Sequence, residues 1–158
     1  MDTIAVARFL AIPTAFLIGG YSFGFSQNTV PLVYNQPSSV SANVLKGVFY
    51  QGAVVVAPGA IIATTGFAYL AYTQPEQRKL FATASALTIA PLLFTQAVMF
   101  KGIQRLLEIS ESAAEQAKAD QSGEAVELLK AWVAQNFVRA ALSSSAGFVG
   151  LRAVWSQS

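Results

Sequence analysis

The charged residues of this chain are confined to short clusters, and the intervals between them match the thickness of a bilayer. No Asp, Glu, Lys or Arg stands between Arg8 and Lys46, between Lys46 and Glu76, or between Lys79 and Lys101. Between Lys130 and Arg152 there is one, Arg139. A membrane-crossing helix needs about 20 mainly apolar residues, and each of the four intervals can hold one. The fold expected is all-α: an integral membrane four-helix bundle forming one domain over residues 1–158, with spans at about 4–25, 48–72, 80–100 and 131–154.

Composition agrees with that reading. Hydrophobic residues make up 54% of the chain and charged residues 11%, less than half the charge of an ordinary soluble domain (roughly 25%). Six of the eight acids lie between Glu108 and Glu127, so the segment 101–130 is read as a water-facing helical extension and acidic loop. A net charge of +2, without a basic run, gives no reason to expect a nucleic acid partner. The chain has no Cys and no His. That removes thiol chemistry, imidazole acid–base chemistry and the usual ligands of zinc and haem. No carboxylate stands in the apolar segments to build a di-iron site. Neither a metal nor another cofactor is expected.

Between the first two spans, residues 26–42 carry Pro31, Pro37, Asn28, Asn35 and several Ser and Gln. This composition predicts a long loop after the first helix. Pro58 and Pro91 fall inside the second and third spans and predict kinks there. A helix break is expected near Ser122-Gly123, with the fourth helix starting near Glu124, where acids in the first turn suit the helix dipole. Basic residues at the two ends of the spans are nearly balanced, so they set no orientation.

Arg139 demands the most explanation. A charge at the centre of a membrane helix costs about 2.5–3.5 kcal/mol even on the lenient insertion scale, and such residues usually serve a function. No acid is available in the spans to pair with it. Trp132, Asn136, Arg139 and Ser143 recur at helical spacing and share one face, which reads as the inside of a bundle. Beside them, Tyr50 and Gln51 on the second span, Thr95, Gln96 and Met99 on the third, and Tyr21 with Ser22 on the first are the candidates for lining an interior cavity. Each of these alone also suits a packing contact. Tyr69, Tyr72 and Trp155 sit near span ends, where aromatic residues favour the membrane interface.

At these positions the chain resembles the anthrone oxygenase-like family of small four-helix membrane proteins common in fungal polyketide gene clusters. The resemblance runs through Gly19-Gly20-Tyr21-Ser22 to Val30-Pro31, Tyr50-Gln51-Gly52 with Pro58, and Pro91 through Phe94-Thr95 to Met99. It continues through Leu129, Trp132, Asn136 and Arg139, and the Gly-rich run Gly147 to Leu151. Family members often carry a His, which this chain lacks, and an Arg is common where Gln51 stands. The resemblance implies conversion of an anthrone to an anthraquinone with molecular oxygen, without metal or flavin, by an anthrone oxygenase-like monooxygenase of secondary metabolism. The implied partners are a hydrophobic small molecule, oxygen and membrane lipid; homo-oligomerisation is left open. The expected location is an intracellular membrane, of the endoplasmic reticulum or a vesicle.

In this reading Arg139 stabilises an oxyanion. Asn136, with Gln51 or Gln96, donates further hydrogen bonds, and Tyr50 and Trp132 stack on the rings. A tyrosine or a water accepts the proton. Tyr21, Thr95 and Met99 complete the substrate-binding set. The alternatives are a membrane cyclase or isomerase working through an enolate, and a non-catalytic four-helix scaffold.

Overall fold

The computed structural model describes residues 2–156, and every element among them is helical. Helix α1 spans Thr3–Gly24 and is started by Asp2, whose carboxylate accepts the Ile4 N–H at 3.1 Å. It runs on into a π-helical turn, Phe25–Thr29, and a 3₁₀ turn, Val30–Val33. Helix α2 follows over Ser38–Thr73, then α3 over Arg78–Phe94, a second π-helical turn over Thr95–Met99, and α4 over Phe100–Glu111. Helices α5 (Ala113–Ser122) and α6 (Glu124–Trp155) complete the chain.

The long loop expected over 26–42 is replaced by helical turns, with α2 already under way at Ser38. The prolines mislead because proline is well accommodated at helix starts, where the missing N–H has no intrahelical partner. Pro31 lies in the first positions of the 3₁₀ turn, and Pro37 is the residue just before α2. Pro58 and Pro91 lie inside α2 and α3, and Pro91 is followed one turn later by the second π turn. Besides the break at Gly123, whose φ of 74° suits glycine, the structure contains another at Ser112, which caps α5 through the Glu115 N–H.

Three helical stretches, Thr3–Val33, Ser38–Thr73 and Pro75–Glu111, are long and apolar enough to cross a membrane. Only 28% of the most apolar window of α2 is buried within the protein. An outward apolar surface of that extent calls for an apolar surrounding, as lipid provides. Helix α6, diluted by Gln135, Asn136, Arg139 and a run of serines, is not among the three. It packs against α1 and α3, while α2 also packs against both of them.

Small residues bring the helices together. Ala11 meets Gly66, and Gly19 faces Ala140 and Ser144. Phe16 and Phe67 lie over Gly147 and Gly150 of α6. One core cluster surrounds Phe67, Leu70 and Phe81; a second, nearer α4, surrounds Leu45, Met99, Leu106 and Trp132.

The charge-rich end is held by ion pairs. Arg105 grips Glu124 through two nitrogens, at 2.8 and 2.9 Å, and reaches Glu115 and Glu108 as well. Lys46 of α2 meets Glu111 at 2.9 Å. Asp120 of α5 accepts the Ser38 N–H at 2.7 Å. It thereby supplies the N-terminal cap of α2 that Pro37 cannot.

Two expectations follow. A Cβ at Gly150 would stand 2.6 Å from the ring of buried Phe67, whereas one at Gly20 meets nothing within 4 Å. Gly150→Ala should therefore cost about 1–3 kcal/mol through overpacking. Gly20→Ala should be neutral or gain up to about 1 kcal/mol from helix propensity. Reversible unfolding in mixed micelles measures both. The second expectation concerns pH. Hydrogen bonds from Lys118 and Arg105 lower the Glu115 pKa, Arg105 lowers that of Glu124, and the Ser38 contact lowers that of Asp120. A carboxylate whose folded pKa is depressed stabilises the fold above its unfolded pKa, and that stabilisation is lost as pH falls through the folded value. The docking of α5 should therefore loosen below about pH 4. Faster hydrogen exchange at the Ser38 amide and along α5, with α1, α3 and the rest of α2 unchanged, is the expected signature.

Candidate functional site

Beside the second core cluster the packing opens into a cavity of about 440 Å³, within the roughly 300–1,000 Å³ of small-molecule sites. Helix α1 and its π turn contribute Tyr21, Ser22 and Phe25. Helix α2 contributes Val48, Phe49, Gly52, Ala53, Val56 and Ala57, and α3 with its π turn contributes Ile89, Leu92, Leu93, Thr95 and Gln96. Trp132, Asn136 and Arg139 come from α6. Gly52, Ala53 and Ala57 leave the space that larger side chains would fill. Ser22, Trp132 and Asn136 are buried, whereas Ala53, Leu93 and Gln96 are exposed. The cavity thus has a closed floor on α1 and α6 and a mouth between α2 and α3.

Arg139 stands about 14 Å along the helix from Lys130 and about 20 Å from Arg152, nine and thirteen residues at 1.5 Å each. It is half-buried, and its Nη1 donates to Asn136 Oδ1 at 3.0 Å. Its buried Nε has no acceptor, and Nη2 has no protein partner. No carboxylate pairs with it among the described residues. The cavity therefore holds a positive charge that nothing among the described residues neutralises. In an apolar setting such a charge attracts an anion far more strongly than it would in water.

Asn136 is saturated. Its Nδ2 donates to the Ser22 carbonyl at 2.8 Å and to Ser26 Oγ at 2.9 Å, while its Oδ1 receives Arg139. The expectation that Asn136 donates to a ligand is therefore corrected, because both of its N–H groups are engaged within the protein. Thr95 is similarly tied: its hydroxyl donates to the Pro91 carbonyl at 2.7 Å. Trp132 is buried against the cavity with its indole N–H lacking an acceptor.

Of the residues singled out in the sequence, Tyr21, Thr95, Gln96, Trp132, Asn136 and Arg139 come together around the cavity. Tyr50, Gln51 and Met99 do not line it. Tyr50 and Gln51 are exposed on the outer side of α2, with Tyr50 packed edge-on against Phe49. The inward phase of α2 runs through Phe49, Gly52 and Val56, and one residue on a helix turns the side chain by about 100°. Met99 is buried in the second core cluster, its sulfur 3.9 Å from the Thr95 hydroxyl. Ser26 lies in the segment whose prolines and polar residues predict a loop, although the structure makes it helical. Its spacing of four from Ser22 is the signal that placed it on the same helical face.

The fold and the cavity define a helical bundle suited to a membrane, with an apolar pocket and one half-buried cation on its wall. The chain belongs to the anthrone oxygenase family, which it matches over residues 45–149, from α2 through most of α6. No curated protein and no solved structure shows significant similarity to it.

If Asn136 is the hub of the network, Asn136→Ala should cost about 1–3 kcal/mol, since it strands buried groups on Arg139 and Ser26. Gln96→Ala, at the exposed mouth, should stay within about 0.5 kcal/mol. Unfolding of the two variants in mixed micelles makes the comparison.

Proposed function

We propose that this chain is a cofactor-independent oxygenase that converts an aromatic polyketide of the anthrone type to the corresponding quinone, with Arg139 holding the oxyanion. The observation that carries this reading is the unneutralised guanidinium in an apolar cavity of suitable size, in a chain of the anthrone oxygenase family. An anthrone carries an acidic CH₂ opposite its carbonyl. Loss of one proton places negative charge on the carbonyl oxygen, where Arg139 Nη2 can meet it. A donor fixed in advance where charge develops is worth about 10²–10³ in rate. The carbanion then adds O₂ to form a hydroperoxide. That species loses water to leave the second carbonyl, so CH₂ and O₂ become C=O and H₂O.

Among the described residues, Tyr21 is the only titratable side chain besides Arg139 that lines the cavity. The proton passes to water or through the Tyr21 phenol. Trp132, Phe25 and Phe49 supply aromatic surface for a planar ligand.

In the same proposal α6 crosses the membrane as the fourth span of a single-domain bundle. Its length of 32 residues exceeds the need, and Arg139 is sheltered inside. Pro58 and Pro91 bend α2 and α3 enough to leave the cavity between them. The mouth at Ala53, Leu93 and Gln96 opens to lipid, so that a hydrophobic substrate arrives from the bilayer of an intracellular membrane. A cyclase or isomerase using the same cation on an enolate is the competing chemistry. A scaffold has no use for the open cavity.

The test is quinone formation from an anthrone under air, in microsomes at matched protein levels. Wild type should exceed the spontaneous rate, and Arg139→Ala should lose about a hundredfold or more of that excess. Tyr50→Phe should keep it. A wild type no faster than background, while inserted and folded, would reject the oxygenase reading.

A further inference from the structure

Helix α1 ends in a π turn, and a π turn takes backbone carbonyls out of the regular ladder of a helix, often at functional sites. At its threshold the Ser22 carbonyl accepts Asn136 Nδ2 at 2.8 Å, and inside it Ser26 Oγ accepts the same amide at 2.9 Å. Ser22, Ser26 and Asn136 are each buried. With both N–H groups fixed from α1, the amide presents its oxygen to Arg139 Nη1 at 3.0 Å. Of the guanidinium's nitrogens, Nη1 is thereby engaged, Nε is sealed, and Nη2 is left without a protein partner.

The choice of an amide matters. Aspartate at 136 would fill a similar volume and still reach Arg139, but it would neutralise the guanidinium and could not donate to Ser22 or Ser26. Asparagine holds the cation by a hydrogen bond and leaves its charge intact. The residues that hold the amide, Ser22 and Ser26, lie outside the segment that matches the family.

We propose that Ser26, acting through Asn136, is a positioning residue that fixes the Arg139 guanidinium as an unneutralised cation, and that the cavity consequently takes a phenolic ligand in its oxyanion form. This rests on the cavity's being the ligand site of the oxygenase reading, and it adds which residue sets the charge and which ionisation state is bound.

The test uses 2-hydroxyanthraquinone, a planar phenol that cannot turn over by this route and whose absorption moves to longer wavelength on losing its proton. The full chain in lipid nanodiscs is titrated with the probe across pH. Wild type should bind it as the phenolate and lower its apparent pKa by at least about one unit, a tenfold preference for the anion. Ser26→Thr, which keeps a hydroxyl, should retain the shift. Ser26→Ala should lose most of it, and Asn136→Asp should abolish it.

A wild-type shift retained in Ser26→Ala would overturn the positioning role, and a shift retained in Asn136→Asp would overturn the charge argument. Because Ser26→Ala removes one oxygen and tests the same chain of contacts, the proposal stays decidable if Asn136→Asp fails to insert. Anthrone turnover by a wild type that binds the neutral phenol would overturn this proposal alone. Absence of both turnover and binding would remove the oxygenase reading as well.

Discussion

A single cation inside an apolar bundle, with no acid among the described residues to neutralise it, is the constraint around which this structure is arranged. Burying a charge in apolar surroundings is costly unless it is paired and hydrogen-bonded, and an acid one turn away would have lowered that cost. The protein instead supplies one neutral amide, Asn136, and anchors that amide to the end of α1. The cation survives as a cation, next to a cavity lined mostly by aliphatic and aromatic side chains. Its remaining electrostatic need can be met by a ligand that carries negative charge.

The two π turns serve this arrangement in parallel ways. In α1 the turn lies beside the Ser22 carbonyl that Asn136 occupies; after α3 the other lies beside the Pro91 carbonyl that the Thr95 hydroxyl occupies. Each of these carbonyls also accepts a backbone N–H, from Phe25 and Thr95 respectively, so the side chain adds a second hydrogen bond where each regular helix ends. Both turns sit at the level of the cavity. The charge-rich end, where Arg105, Glu115, Glu124 and Asp120 tie α2, α4, α5 and α6 together, keeps the helices in register above it.

Much of this could be read from residue order. The charge-free intervals locate α1, α2 and α3, and the spacing of Trp132, Asn136, Arg139 and Ser143 locates the polar face of α6. What could not be read has identifiable physical causes. Pro31 and Pro37 suggested a loop, although each stands at a helix start, where proline costs little. The chemistry of Tyr50 and Gln51 suggests an inward-facing pair. The helical phase through Phe49, Gly52, Val56, Ala60, Ala63 and Phe67 turns them outward. Ser26 falls in the segment whose prolines and polar residues predict a loop, and only its spacing of four from Ser22 marks it as a continuation of the helix. Asn136 stands on the polar face that the α6 spacing marks, but only the geometry reveals that both its donors are engaged.

The measurement that bears most directly on the central claim is a structure of the full chain in lipid nanodiscs with 2-hydroxyanthraquinone bound. The account predicts the planar ring in the cavity between α2 and α6, with a ligand oxygen within about 3.2 Å of Arg139 Nη2 and the Asn136 contacts to Ser22 and Ser26 preserved. A ligand seated elsewhere, or one in the cavity with Nη2 still unoccupied, would contradict it.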